Sequence, residues 1–188
     1  GFIYIILKMK INFFDKFYAK SDGITTLQMH TEHVITAGFN LLNNLSFTIE
    51  EKEYWGEKLF RCAVLHDLGK IHSEFQKRLN GDKSVSIRHE IISLWFCENF
   101  LDLSDDELFA IATHHKGIEP HLDGRNRLNT DILTSDMSCH YEMERELLQQ
   151  DVLKKWLVLF NLDIKIIDIG IQTDYLSFRN KRKVFPIF

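Results

Sequence analysis

Residues 63–70 read AVLHDLGK, an apolar segment that places His66 beside Asp67. The surrounding residues predict a buried helix, and an ionised aspartate is costly to bury unless it is paired or bound to a metal. Neighbouring helical residues point about 100° apart, so both side chains can approach one ion from adjacent directions. Because a carboxylate has two oxygens, Asp67 can also bridge two ions. The segment therefore predicts a metal site inside a helical core.

A second candidate ligand lies upstream, in TLQMHTEHV. Helical spacing puts His30 at the middle of an apolar stripe. The stripe consists of Leu27, Val34, Ala37 and Leu41. A lone histidine on such a face is more often an ordinary hydrogen-bonded core residue than a ligand, so His30 gains weight only from the company of the others.

Three further segments supply the same ligand types. His89 opens an aromatic-rich helix, and the pair His114-His115 ends a helix before a basic loop, although a surface pair is the alternative. Asp136 is expected on a core-facing helical position, with an N-cap or surface role as the alternative. Imidazole and carboxylate suit first-row divalent metals, and the set exceeds what one ion needs. The predicted ligands of a binuclear site are His30, His66, Asp67, His89, His114, His115 and Asp136.

The fold class predicted from the sequence is all-α, because apolar spacing is helical over most of the 188 residues and only two prolines occur. Helices are expected near residues 25–44, 49 or 51 to 71, 72–79, 86–100, 104–113 and 130–149, with another through 159. Met9 looks like a natural start, so the predicted domain spans 9–160. Residues 161–188 form a C-terminal extension or linker, whose strand-like IKIIDIGI allows a short β-hairpin.

Composition narrows the class of protein further. The formal net charge of −4 argues against a dedicated nucleic-acid coat but not against a nucleic-acid enzyme. The three cysteines lack CxxC spacing and indicate reduced, mostly buried thiols. The opening GFIYIIL is far shorter than a membrane span. A cytoplasmic protein with no membrane association is expected.

The order H…HD…D on successive helices resembles the HD-domain metal-dependent phosphohydrolases. Five segments are similar to the HD nuclease domain of the type I CRISPR effector nuclease-helicase, namely YAKSDGITTLQMHTEHV, HDLGKIHSEFQKRL, RHE, HH and SDMS. The similarity implies that the chain folds as a helical bundle. The resemblance covers roughly residues 17–140. No GxxxxGK[ST] phosphate loop occurs, so a stand-alone subunit or a fragment without the helicase module is expected.

The resemblance implies two divalent ions that share Asp67. The first would be held by His30, His66, Asp67 and Asp136, and the second by Asp67, His89, His114 and His115. A ligand set rich in histidine favours Mn, Fe, Co or Ni over Mg, which prefers oxygen and water. Asp67 and Lys70 would be the catalytic residues, and Lys70, Arg88 and Lys116 would contact the nucleic acid. For Lys70 a solvent-facing helix end, and for Arg88 a plain salt bridge, are the alternatives.

The implied activity is hydrolysis of phosphodiester bonds in DNA, preferably single-stranded, by water activated between two ions. The implied partners are single-stranded DNA, a helicase subunit or fused helicase domain, and the CRISPR guide complex of antiviral defence. Two other functions stay open. One is an HD phosphohydrolase of nucleotides or cyclic nucleotides, and the other is a catalytically inactive HD scaffold for partner proteins.

Overall fold

The computed structural model describes residues 14–84, 88–115 and 152–162. These ranges contain six α-helices and one short 3-10 helix at Leu68–Ile71. The α-helices are α1 (Leu27–Asn44), α2 (Ile49–Leu65), α3 (Ser73–Leu79), α4 (His89–Phe100), α5 (Asp105–Thr113) and α6 (Val152–Leu159). Tyr18 pairs with Thr26 in an isolated antiparallel bridge, and no strand is formed within the described ranges, so the mainly helical prediction is confirmed there. The predicted loop 117–129, helix 130–149 and extension 161–188 lie outside it, apart from residues 161 and 162.

Side-chain caps set where the long helices begin. The Thr26 hydroxyl accepts a hydrogen bond from the Met29 N–H and caps α1. Thr48 begins α2 with a capping box, in which its hydroxyl and the third helical residue, Glu51, satisfy each other's backbone N–H groups. Ser104 begins α5 with the same reciprocal arrangement. Free backbone donors at these helix starts are therefore paired within the first turn.

The end of α2 differs from the prediction. The helix was expected to continue to residue 71, yet it ends at Leu65 and the backbone at Asp67 has φ −105° and ψ 11°. A tighter 3-10 turn then runs from Leu68 to Ile71. The tightening takes Asp67 out of the helical register and turns its side chain into the protein interior, where it is 2% exposed.

The buried face of α1 is also rotated from the predicted stripe. Leu41 is 65% exposed and Ala37 is exposed, whereas Thr31 and Leu42 are buried. The reason is a close approach to α2 through glycine, since a Cβ atom at Gly38 would lie 2.9 Å from the Leu59 side chain. The contact between α1 and α2 therefore forms at the small residue Gly38 and not along the stripe with the most apolar residues.

Trp156 connects α6 to the last turn of α2. Its side chain is completely buried, its indole N–H donates to the Val64 carbonyl at 2.8 Å, and its ring meets the edge of Phe14. The buried Glu107 of α5 accepts a hydrogen bond from Arg61 of α2 at 2.5 Å. Contacts with α6 and with α5 therefore both hold the segment before His66. No helix in the described ranges has the length and apolar character needed to cross a bilayer.

Candidate metal centre

The Asp67 carboxylate is the centre of a buried polar cluster. Its Oδ2 atom faces three nitrogen atoms from different positions in the chain. His30 Nε2 lies at 3.0 Å, His66 Nε2 at 3.2 Å and Lys70 Nζ at 2.7 Å. Helix α1 supplies His30, and the turn after α2 supplies the other two, so this half of the cluster depends on the contact between α1 and α2.

The second oxygen, Oδ1, faces imidazoles from the other side of the cluster. His89 Nε2, at the start of α4, lies 3.0 Å away, and His114 Nε2, just after α5, lies 3.4 Å away. His115 Nε2 is 2.9 Å from His89 Nε2. One carboxylate therefore separates two sets of imidazole nitrogens.

These separations fit a pair of cation sites. Ligand atoms about 2.1 Å from one ion lie about 3.0 Å apart at octahedral angles and about 3.4 Å apart at tetrahedral angles. Both Asp67 oxygens and His114 Nε2 are buried, and none makes a well-formed hydrogen bond with the described residues. Buried polar atoms are rarely left so. Carboxylate and imidazole nitrogen and oxygen atoms that converge in this way are suited to a cation.

Six of the seven predicted ligands come together in this way. Potential ligand atoms within 4.8 Å of one another form two groups that share Asp67. One group is His30, His66 and Asp67, and the other is Asp67, His89, His114 and His115. The seventh, Asp136, lies outside the described residues. That the groups hold metal ions stays a prediction.

Backbone carbonyls orient two of the imidazoles. His66 Nδ1 lies 2.8 Å from the Ala63 carbonyl oxygen, and His114 Nδ1 lies 2.7 Å from that of Ile111. Because a carbonyl only accepts, each Nδ1 must carry the proton. In a neutral ring, Nε2 would then carry the lone pair and face Asp67, which is the tautomer that metal ligation requires.

Gly69 and Ser93 bring the two halves of the cluster together. The Gly69 N–H donates to the Ser93 hydroxyl at 2.8 Å, which in turn donates to the His89 carbonyl at 2.9 Å. A Cβ atom at Gly69 would lie only 2.2 Å from that same carbonyl oxygen. Gly69 therefore lies in close contact with the backbone of α4, and the role of Ser93 had no signal in the sequence.

Gln76 is a second functional position that the sequence analysis left without a role. Its Nε2 donates to the carbonyls of Lys70 and Tyr18, at 2.6 and 3.0 Å, while its Oε1 accepts from the Tyr18 N–H. One side chain therefore fixes the backbone of the 3-10 turn against the first described residues. The hydrogen bond from Gln76 therefore holds the backbone of Lys70 in place.

The environment sets the protonation states that a metal requires. Burial alone would raise the pKa of Asp67, but the surrounding imidazoles, His114 and His30 foremost, hold it well below its usual value. Burial lowers the pKa of His89. Burial and the neighbouring imidazoles of His114 and His89 lower the pKa of His115 to about 4. At neutral pH the carboxylate is ionised while His89 and His115 are neutral, which are the ligating forms.

Acidification is expected to destabilise the metal-free protein. The folded-state pKa values of His89 and His115 lie below the ordinary 6.5, so the unfolded chain takes up protons first as the pH falls. The free energy of unfolding should decrease from about pH 6.5 towards pH 4. Melting temperatures in EDTA between about pH 7.5 and pH 5 test this. His115→Asn should flatten the profile and the exposed His33→Asn should not; a flat wild-type profile would contradict the expectation.

The other charged residues singled out in the sequence have mixed outcomes. Lys70 is buried against Asp67, so the solvent-facing alternative is wrong. Arg88 pairs with Glu90 at 2.8 Å, as its salt-bridge alternative predicted. Residue type alone would place Glu90 at the surface, yet it is buried; His72 is also buried and caps α3 by accepting from the Glu74 N–H. Lys116 lies outside the described residues.

Comparisons with protein-family models, with curated proteins and with solved structures found no match. The fold and the site therefore define the class: a mainly helical protein with two adjoining His/Asp groups that could bind metal ions.

Proposed function

We propose that this chain is a metal-dependent HD nuclease that hydrolyses phosphodiester bonds in DNA, preferably single-stranded DNA. The observation that carries the proposal is the position of Asp67 between two groups of imidazoles, each able to hold a divalent ion. A bridging carboxylate of this kind is what a two-ion hydrolytic site requires. The resemblance of the segments around these ligands to the CRISPR HD nucleases supports the choice of substrate.

Bound divalent ions would supply a water nucleophile at neutral pH and neutralise charge on the scissile phosphate. The chain's own residues would do the rest. Asp67 and the imidazoles would fix the ions, and Lys70 would donate to a phosphate oxygen with its ammonium group. The His30 side chain is 24% exposed and His115 is exposed, so a substrate can reach the cluster from the edges that these two residues form.

A single-stranded substrate fits the compactness of the site. The ligands come from α1, α4 and the segments that follow α2 and α5, and residues 14–84, 88–115 and 152–162 contain no two-stranded ribbon of the kind that enters a duplex groove. A flexible strand can pass its backbone across the cluster. Phosphate contacts carry no sequence information, so cleavage should be largely independent of sequence.

The test is cleavage of circular single-stranded DNA by EDTA-treated protein to which metals are added singly. We expect no cleavage without metal, recovery with Mn, Co, Ni or Fe, and weaker recovery with Mg, because the ligands are mainly imidazoles. Linear products would show internal cutting. Release of phosphate from mononucleotides with the DNA left intact would favour a nucleotide phosphohydrolase. Absence of both bound metal and hydrolysis would favour an inactive scaffold.

The biological setting proposed for this activity is CRISPR antiviral defence. A helicase subunit or fused helicase domain would feed the displaced strand to the nuclease at a guide complex. The support for these partners is the order and wording of the motif segments, namely HDLGK followed by EFQ, RHE and HH. Co-purification of the chain with a helicase from its own cells would test the partnership separately from the chemistry.

A further inference from the structure

The two oxygens of Asp67 have unequal surroundings. Oδ1 faces the imidazoles of His89 and His114, whereas Oδ2 faces two imidazoles and also the Lys70 ammonium at 2.7 Å. Lys70 is 7% exposed, so this ion pair is buried. The charge of Asp67 is therefore already compensated, and from one side only.

We infer that Lys70 is a built-in counter-ion that makes the two metal sites fill in order. The group of Asp67, His89, His114 and His115 takes the first divalent cation. The group of His30, His66 and Asp67 takes the second only when the Lys70 ammonium leaves Oδ2. This inference rests on the metal binding in the proposed function, and not on which substrate is cut.

Electrostatics gives the order. A cation held by His30, His66 and Asp67 Oδ2 would share the Oδ2 atom with the Lys70 ammonium. Two positive charges bound to the same oxygen repel each other strongly in a buried site. The Oδ1 group has no such competitor among the described residues. A buried ammonium that loses its carboxylate needs a new anion, and a phosphodiester at the cluster would provide one.

The geometry confines the movement to the side chain. The Lys70 N–H donates to the Asp67 carbonyl at 2.9 Å, and the Lys70 carbonyl accepts from Gln76 at 2.6 Å. The backbone is thus fixed, and only the torsions of the four-carbon side chain are free to change. The Lys70 ammonium can therefore leave Oδ2 while it stays within reach of the cluster.

Calorimetric titration with Mn²⁺, together with elemental analysis, tests the inference in the full chain. Wild type should bind two ions with distinct affinities. Lys70→Met should tighten the weaker event by about tenfold or more, because the competing charge is gone, and should change the stronger event much less. Lys77→Met is the matched control, since that lysine lies on α3 and pairs with Glu74 on the surface. Its two events should equal those of wild type.

An unchanged or weakened second event in Lys70→Met would overturn the inference, and so would equal tightening of both events. If Lys70→Met unfolds in EDTA, the same question is answered by melting temperatures of Lys70→Gln. A larger Mn²⁺-induced increase than in wild type supports the inference, and an equal or smaller increase overturns it. Two ions bound in order with DNA uncut would sink the nuclease proposal alone, whereas no bound metal would sink both.

Discussion

Asparagine at position 67 is expected to abolish metal-dependent cleavage and to weaken the binding of both ions. Asp67→Asn keeps the size of the side chain but removes the charge that both ligand groups share. We expect metal affinity to fall by about two orders of magnitude or more, because mutation of residues that only hydrogen-bond to the ligands already lowers metal affinity by about 10–100-fold. Cleavage should fall by about 10³-fold or more, the equivalent of several kcal/mol of transition-state stabilisation.

The stability of this variant needs a matched comparison, because Asp67→Asn also leaves Lys70 without its carboxylate. Breaking a buried ion pair costs about 3–5 kcal/mol. Glu107→Gln provides the control: Glu107 is also 2% exposed and paired with a cation, Arg61, but lies outside the cluster. It should lose stability and keep metal binding. Calorimetry and the circular-DNA assay on both variants decide the matter, and an Asp67→Asn protein that cuts at the parental rate would refute the mechanism.

Alanine at position 69 is expected to dismantle the centre without touching a ligand. The added methyl carbon of Gly69→Ala would lie 2.2 Å from the His89 carbonyl oxygen, a backbone atom that cannot rotate away. The 3-10 turn and the start of α4 must therefore separate. Because Asp67 lies on the first and His89 on the second, we expect metal affinity to fall by about 100-fold. The free energy of unfolding should fall by about 1–3 kcal/mol or more.

Gly56→Ala is the control for that experiment. Its methyl carbon would lie 3.3 Å from a ring carbon of Phe39, a side chain that can shift slightly. Alanine also has a higher helix propensity than glycine in the middle of α2. Metal binding should equal that of wild type, with stability changed by less than about 1 kcal/mol. Chemical denaturation and Mn²⁺ titration measure both quantities. Parental metal affinity in Gly69→Ala would show that the close contact does not position the ligands.

The chemistry of the cluster could be predicted from the sequence better than its geometry. Ligand type, helical setting and the joint occurrence of the segments singled out His30, His66 and His89, because buried imidazoles and carboxylates need partners wherever they lie. The end of α2 could not be predicted in the same way. The chain leaves the helix near Asp67 to accommodate the contact between Gly69 and the backbone of α4, and that contact joins residues distant in sequence.

The errors on α1 and around the cluster have the same origin. Counting apolar residues put Leu41 on the buried face, yet Gly38 sets the contact with α2, and a glycine adds nothing to an apolar pattern. His72 and Glu90 look like surface residues by type. They are buried because a backbone N–H and the Arg88 guanidinium are present to pair with them. Such partners are known only once the chain is folded.

The indole of Trp156 gives this protein an optical reporter. Its hydrogen bond ends on the Val64 carbonyl, two residues before His66, and its ring is sealed from solvent. A sealed indole fluoresces at shorter wavelength than the partly exposed Trp55 of the same chain. Any rearrangement of the last turn of α2 should therefore change the tryptophan fluorescence at the short-wavelength side of the emission spectrum. The assembly of the centre can then be followed in real time without a label.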